Sequence, residues 1–369
     1  MKKIVCVLCV LGLLAGCAGT KSEPAPEEQP VQAEVKEEET EKEELTFQEM
    51  FEIRSEGIDY LSVKGITVPQ GAVLAMIGKD SGSGFWKNVK KGAEQAVEDL
   101  NEVMGYSGDA KVKLLYDAPA GEDVSEQTDI IDQMLDKNPD ALCIGFVDIN
   151  SGRTQIELAD ANGIPVLAVD SGISNPLIVN TCKTDNFKAG AEAARKLCEA
   201  IGDSGKVALL VHSSQTESGI DREKGFADEI RQNHPEVELV DVAYRQQDER
   251  NADEIVTSVL NEHPDLKAYF GTNDTVTKEI LEALAMYQPE DADVLAAGFD
   301  ASAKVMKAVE EGTVAGVMAQ NPYGMGYAAA VAAFRAMAGM ENAPDVDTGY
   351  YWITAENMED EKAQVLSYK

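Results

Sequence analysis

From residue 72 onward, short runs that are apolar at every position alternate with longer segments in which apolar residues recur every three or four positions. A short, uniformly apolar run reads as a strand buried on both faces, and the longer spacing reads as a helix with one face on a core. This predicts strands at 72–78, 111–117, 141–146, 166–170 and 177–180, with helices at 85–104, 123–137 and 151–162 among them. The pattern restarts with a helix at 187–201. Strands follow at 206–211, 238–243, 268–271, 294–299 and 314–318, separated by helices at 220–233, 252–262, 276–286 and 301–311, with a last helix at 323–339. Such alternation predicts an α/β protein of parallel sheets built from right-handed crossovers. Two runs of similar length predict two similar lobes and a cleft between them, a preferred place for a small molecule.

The stretch AVLAMIGKDSGSGFW, Ala72–Trp86, is the reference unit: strand, loop, then helix. Its loop lies at the carboxyl end of a strand, where open α/β sheets bind ligands. GKDSGSG lacks the Lys-Ser/Thr ending of a nucleotide P-loop, so its glycines read as a close backbone approach. Phe85 and Trp86 sit in the loop or the first helical turn, where a core would not easily use both. Other polar groups stand at strand ends: Asp170-Ser171, Thr184-Asp185-Asn186, Asn273-Asp274, Asp300 after Phe299, and Gln320-Asn321. Each reads singly as a helix cap, whose loss costs about 1 kcal/mol. Together, at corresponding ends of parallel strands, they converge on one crevice.

Charge excludes one class of partner. The net charge is −34, and the first 44 residues, with ten Glu and five Lys, account for only −5 of it. A body so negative repels phosphate backbones, so no nucleic-acid partner is expected.

The amino end reads as export machinery. Lys2 and Lys3 precede an apolar run, Ile4 to Leu14, too short for a bilayer span, and small residues follow. LAGC at 14–17 resembles a bacterial lipoprotein signal, which implies a signal peptide at 1–16, lipidation of Cys17 and a body held outside the cell membrane. Residues 17–45, rich in Pro, Glu and Lys, bury too little apolar surface to fold and read as an acidic tether. Residues 46–70 form a lead-in, with an amphipathic helix at 46–61 in which Thr46 and Glu49 fit a capping box. Cys143, Cys182 and Cys198 show no disulfide framework, and a Cys182–Cys198 bridge has no support in the spacing. His212, His234 and His263 show no ligand spacing, so no metal and no cofactor is expected.

The stretches SGFWKNVKKGAEQA, NGIPVLAVDS, TDNFKAGAEAA, GIDREKGF, HPDLKAYFGTND, AAGFDASAKV and GVMAQNPYGMG run in order through the body. Together they resemble the periplasmic sugar-binding proteins of the ribose/galactose type, the solute receptors of ABC importers. The resemblance implies the type I periplasmic binding protein fold: two Rossmann-like lobes, with parallel sheets flanked by helices, joined by a three-stranded hinge. Crossings near Thr184, Gln320 and Asp347 then divide the body into an N-terminal lobe, 71–184 plus 321–347, and a C-terminal lobe, 185–320 plus 348–369.

By matching position, Phe85 and Trp86 wall the apolar face of a sugar, Asp170 accepts from hydroxyls and Arg222 donates as a rigid fork. Asn273 and Asp300 bind from the second lobe, and Gln320 lies near a hinge. An ion pair of Arg222 with Asp221 or Glu223 is the other reading of that arginine. The sequence departs from the ribose-type pattern at Ser171, Gly145 and Gln247, changes expected inside the pocket, with Phe146 partly refilling the space beside Gly145. The implied protein is a non-enzymatic, monomeric, lipid-anchored binding protein at the cell surface or in the periplasm, delivering a sugar-like solute to ABC permease subunits. The alternatives are a sensor input for a chemoreceptor or kinase, and a carbohydrate hydrolase using Asp170 and Asp300.

Overall fold

A computed structural model describes residues 46–287 and 294–368. The signal peptide, the tether and Cys17 lie outside the described residues. A short helix α1 (Phe47–Met50) and a hairpin of β1 (Arg54–Ser55) and β2 (Ile58–Asp59) come first. The first alternating run is β3 (Val73–Ile77), α2 (Gly84–Met104), β4 (Lys113–Asp117), α3 (Val124–Leu135), β5 (Ala141–Ile144), α4 (Arg153–Ala161), β6 (Val166–Val169) and β7 (Ile178–Lys183). The second is α5 (Asn186–Ala200), β8 (Gly205–Val211), α6 (Glu217–Asn233), β9 (Val237–Tyr244), α7 (Ala252–Glu262), β10 (Leu266–Gly271), α8 (Asp274–Tyr287), β11 (Leu295–Phe299), α9 (Ala303–Glu310) and β12 (Val314–Gln320). The chain closes with α10 (Pro322–Met337), β13 (Asp345–Asp347), β14 (Tyr350–Ile353) and α11 (Glu361–Leu366).

Two six-stranded sheets result, ordered β4-β3-β5-β6-β7-β13 and β9-β8-β10-β11-β12-β14. Their pairs are parallel except for β14, which runs antiparallel to β12. The strands that read as apolar throughout are buried on both faces: Leu74 to Ile77, Ala141 to Ile144 and Val166 to Val169 are sealed between helices. In each sheet the first strand lies inside the second, so strand order reverses beside β3 and beside β8. Those reversals are the switch points at which doubly wound sheets open a crevice. The chain passes between the sheets at Thr184–Asp185, at Gln320–Asn321 and at Thr348–Gly349, each between a strand of one sheet and an element of the other lobe.

The lead-in departs from the amphipathic helix expected over 46–61. The helix ends at Met50, and further on Glu56 and Gly57, at positive φ (50° and 80°), close the β1–β2 turn. The apolar residues that suggested a helical stripe serve as core instead. Ile53, Tyr60 and Leu61 are buried with Val63, Ile66 and Val68 against the helices of the first lobe. The Tyr60 hydroxyl accepts from the Ala343 N–H at 2.8 Å, which ties the lead-in beside β13. Cys143, Cys182 and Cys198 are free and buried, Cys182 within β7 and Cys198 within α5.

Candidate functional site

A cavity of about 230 Å³ lies between the lobes, and all seven residues expected at a site line it: Phe85, Trp86, Asp170, Arg222, Asn273, Asp300 and Gln320. Lys79, Glu122, His212, Ser218, Asp274 and Lys278 line it as well.

The aromatic wall is set by the start of α2. Phe85 and Trp86 meet edge to face, with ring centroids 5.6 Å apart. Trp86 lies against two strand ends that carry no side chain: a Cβ on Gly145 would stand 2.3 Å from Trp86 Cη2, and one on Gly78 would stand 2.9 Å from Cε3. The space expected to be refilled by Phe146 is therefore taken by Trp86. Phe146 turns the other way, into the core with Ile144 and Ile156. Gln247 also departs from expectation. Its amide is engaged by Ser213, Ser214 and Gln215, and it is not among the lining residues. Ser171 likewise stands behind the cavity, accepting from the Ser218 N–H at 3.3 Å.

Asp170 and Asp300 occupy the same place in the two lobes, directly after the fourth strand of each alternating run. Both take left-handed backbone, with φ of 66° and 74°. That conformation costs a non-glycine residue about 1–3 kcal/mol and persists where surrounding structure imposes it. Neither caps a helix directly after it: α9 is opened by Ser302, and Asp170 is followed by β7. The capping reading holds for their neighbours: Asp185, Asn273 and Asn321 accept from N–H groups of the helices they open.

Asp170 is buried against Lys79, with Nζ 2.8 Å from Oδ2. Burial opposes the Lys79 charge most strongly, and Asp170 together with Glu122 more than restores it, leaving the ammonium above its ordinary range. Asp300 accepts from Gln320 Nε2 at 2.7 Å and from the Asp274 N–H at 3.1 Å. Burial pushes its carboxyl up to about 6, against the opposing pull of Arg222 and the Gln320 bond. Gln320 accepts in turn from Thr184 Oγ1 at 3.0 Å, so two of the interlobe crossings are bonded to each other and to a cavity carboxylate.

Arg222 makes no ion pair with Asp221 or Glu223. Its Nε donates to Asn186 Oδ1 at 2.8 Å, Nη1 donates to the Thr272 carbonyl at 2.7 Å, and the guanidinium lies 3.9 Å from the Phe299 ring centroid. A fork fixed on three sides is preorganised for whatever it meets in the cavity. Beside it His212 touches Thr272 and Thr216 through its two ring nitrogens, at 2.8 and 3.0 Å. Burial, then Arg222 and Lys79, hold His212 well below its ordinary range, so it is a neutral polar group.

Lys79 and His212 were absent from the expected set. Each follows an apolar strand directly, the same signal that pointed to Asp170. Lys79 stands among glycines and His212 is one of three scattered histidines, so neither falls within a recognised motif. Among the described residues no cluster of His, Cys, Asp and Glu is arranged to hold a metal ion.

The lobes touch around the cavity. The Gly172 N–H donates to Glu217 Oε2 at 2.6 Å, and Lys183 pairs with the same carboxylate. The Ile149 N–H donates to the Gln215 carbonyl at 2.8 Å, and Gln246 donates to Glu122. This is a closed arrangement, its walls drawn from both sheets.

Residues 74–341 match the family described as periplasmic binding protein domain. The ribose import binding protein RbsB of Bacillus subtilis is 27% identical over 249 residues, 68% of this chain and 76% of the relative. The D-allose-binding periplasmic protein of Escherichia coli is 27% identical over 265 residues, 69% of this chain and 81% of the relative. A crystal structure of an ABC transporter solute binding protein from Agrobacterium vitis with bound D-fucose superposes with a TM-score of 0.72 at 26% identity, covering 80% of this chain and 100% of that one.

Proposed function

The chain belongs to the periplasmic binding protein domain family, and from that premise we propose that it captures a neutral sugar or sugar-like polyol between its lobes and delivers it to the permease subunits of an ABC importer. The observation that carries this reading is the cavity itself: two aromatic rings on one side and fixed polar groups from both lobes on the other. Its size, about 230 Å³, falls below the roughly 300–1,000 Å³ of drug-sized pockets and suits a single small ring. Relatives named for ribose import and allose binding, and a similar fold holding D-fucose, support the same class.

The charges favour a neutral solute. Lys79 is paired with Asp170 and Lys278 with Asp274, while Arg222 faces Asp300 electrostatically. Little positive charge is left over for a carboxylate or phosphate. In this reading the C–H face of the sugar lies on Phe85 and Trp86, where ring faces supply contact area at low entropy cost. Asp170, Asp300 and Asn273 accept or exchange hydrogen bonds with hydroxyls, Arg222 donates to hydroxyl or ring oxygen, and Gln320 holds Asp300 in line. Each hydrogen bond to a charged group contributes about 1.5–3 kcal/mol. Because both lobes contribute, the solute binds the closed form better and shifts the population toward it. Cys17 would carry the lipid anchor that keeps the protein at the outer face of the cell membrane.

A thermal-shift screen over pentoses, hexoses and sugar alcohols tests the assignment. A solute at 100 times its dissociation constant stabilises by about 2.7 kcal/mol, a clear rise in melting temperature. A panel that leaves the melting temperature unmoved, together with a rise on adding sugar acids or amino acids, would replace this reading.

A further inference from the structure

Tyr368 belongs to one lobe by its backbone and to the other by its ring. Its N–H donates to the Ala301 carbonyl at 3.0 Å and its carbonyl accepts from the Ala303 N–H at 2.9 Å, which pins it beside Asp300 in the second lobe. Its side chain joins the apolar cluster of the first lobe that includes Phe85, Trp86 and Val89. It also borders a groove with Lys87, Asn88 and Lys91 of α2. The residue is 8% exposed. Its hydroxyl is sealed from solvent and, among the described residues, has no hydrogen-bond partner.

The same condition recurs where the chain passes between the lobes. Asn186 Nδ2 beside the first crossing, Asn321 Nδ2 on the second and Thr348 Oγ1 on the third are also buried without a partner among the described residues. A buried polar group without a partner keeps the whole desolvation penalty. For Tyr368 that penalty falls on the closed form, because its ring is covered by the lobe opposite its backbone and parting the lobes uncovers it.

Resting on the binding-protein reading above, we propose that Tyr368 is a positioning residue that sets the open–closed balance: its ring bridges the lobes, and its unpartnered hydroxyl holds the empty protein open. The solute must overcome this bias, so affinity is tuned below what the cavity contacts alone would give. Burial keeps the hydroxyl protonated, with its pKa well above the ordinary tyrosine range, and the neighbouring carboxylates of Asp300, Asp274 and Asp170 act in the same direction.

The consequence is opposite in sign to an ordinary deletion. Y368F keeps the ring and removes only the penalty. It should shrink the ligand-free radius of gyration in small-angle scattering and tighten binding of the best-bound sugar among D-ribose, D-allose and D-fucose roughly tenfold, with no loss of melting temperature. Y368A removes the bridge and should expand the ligand-free protein. Unchanged or weaker binding by Y368F with unchanged scattering overturns the proposal, as does a Y368A protein that scatters like wild type. If wild type binds none of the three sugars, the sugar reading fails, and ligand-free scattering of the two variants still decides the role of Tyr368.

Discussion

Asp300 concentrates the chemistry of the cavity in one carboxyl. Its pKa is raised from 3.8 to about 6 by burial. A raised pKa means that the protonated form fits the fold better. The stability it contributes is fully present below pH 3.8 and is lost as the pH rises through about 6. At about 1.4 kcal/mol per unit, the charged group costs the ligand-free protein about 3 kcal/mol at pH 8. D300N should therefore melt higher than wild type at pH 8 and equal to it near pH 4, while binding its solute at least tenfold more weakly at pH 7. Melting curves across that range, with one calorimetric titration, check both halves; a D300N protein less stable at pH 8 contradicts the account. Asp170 and Asp300 were legible in the sequence because each follows an apolar strand. Their positive φ was not, since a left-handed aspartate is spelled like any other. Trp86 was legible as a wall, but its seat against Gly78 and Gly145 was not, because that contact joins residues far apart in the chain.

At the level of elements, the helix pair α5–α6 positions Arg222. The two helices approach until their backbones nearly touch: a Cβ on Gly190 would stand 2.3 Å from the Arg222 carbonyl oxygen, and one on Gly225 would stand 2.0 Å from that of Phe187. Neither contact can relax by rotating a side chain, since the obstacle is backbone. G190A should cost about 1–3 kcal/mol of stability by overpacking and also weaken solute binding, because it displaces the helix that aims the guanidinium. Urea unfolding and titration measure the two effects, and a loss of stability with binding intact would detach Arg222 from the site. Periodicity predicted these helices well, since each buries one apolar stripe. It failed over 46–61 because the apolar residues of a hairpin and its flanks happen to fall at helical spacing, and only their burial beneath α2 and α10 tells the two apart.

Across the described residues, two six-stranded sheets are joined at three crossings and held together at the rim. Glu217 links the lobes there, accepting from the Gly172 N–H and pairing with Lys183. E217A should leave the melting temperature within a few degrees of wild type, enlarge the ligand-free particle in solution scattering and weaken binding about tenfold. A variant that binds as tightly as wild type would show that the rim contacts do not govern closure. By itself the sequence determined the α/β class, the two-lobed plan and the set of polar strand ends, because burial pattern and strand-to-helix alternation are local and repeat along the chain. Only the tertiary structure decided which of those ends share a cavity, that Lys79 neutralises Asp170 there, and that Tyr368 reaches across from the opposite lobe. Those facts are distances between groups remote in sequence, set by how two sheets face each other, and no local pattern records them.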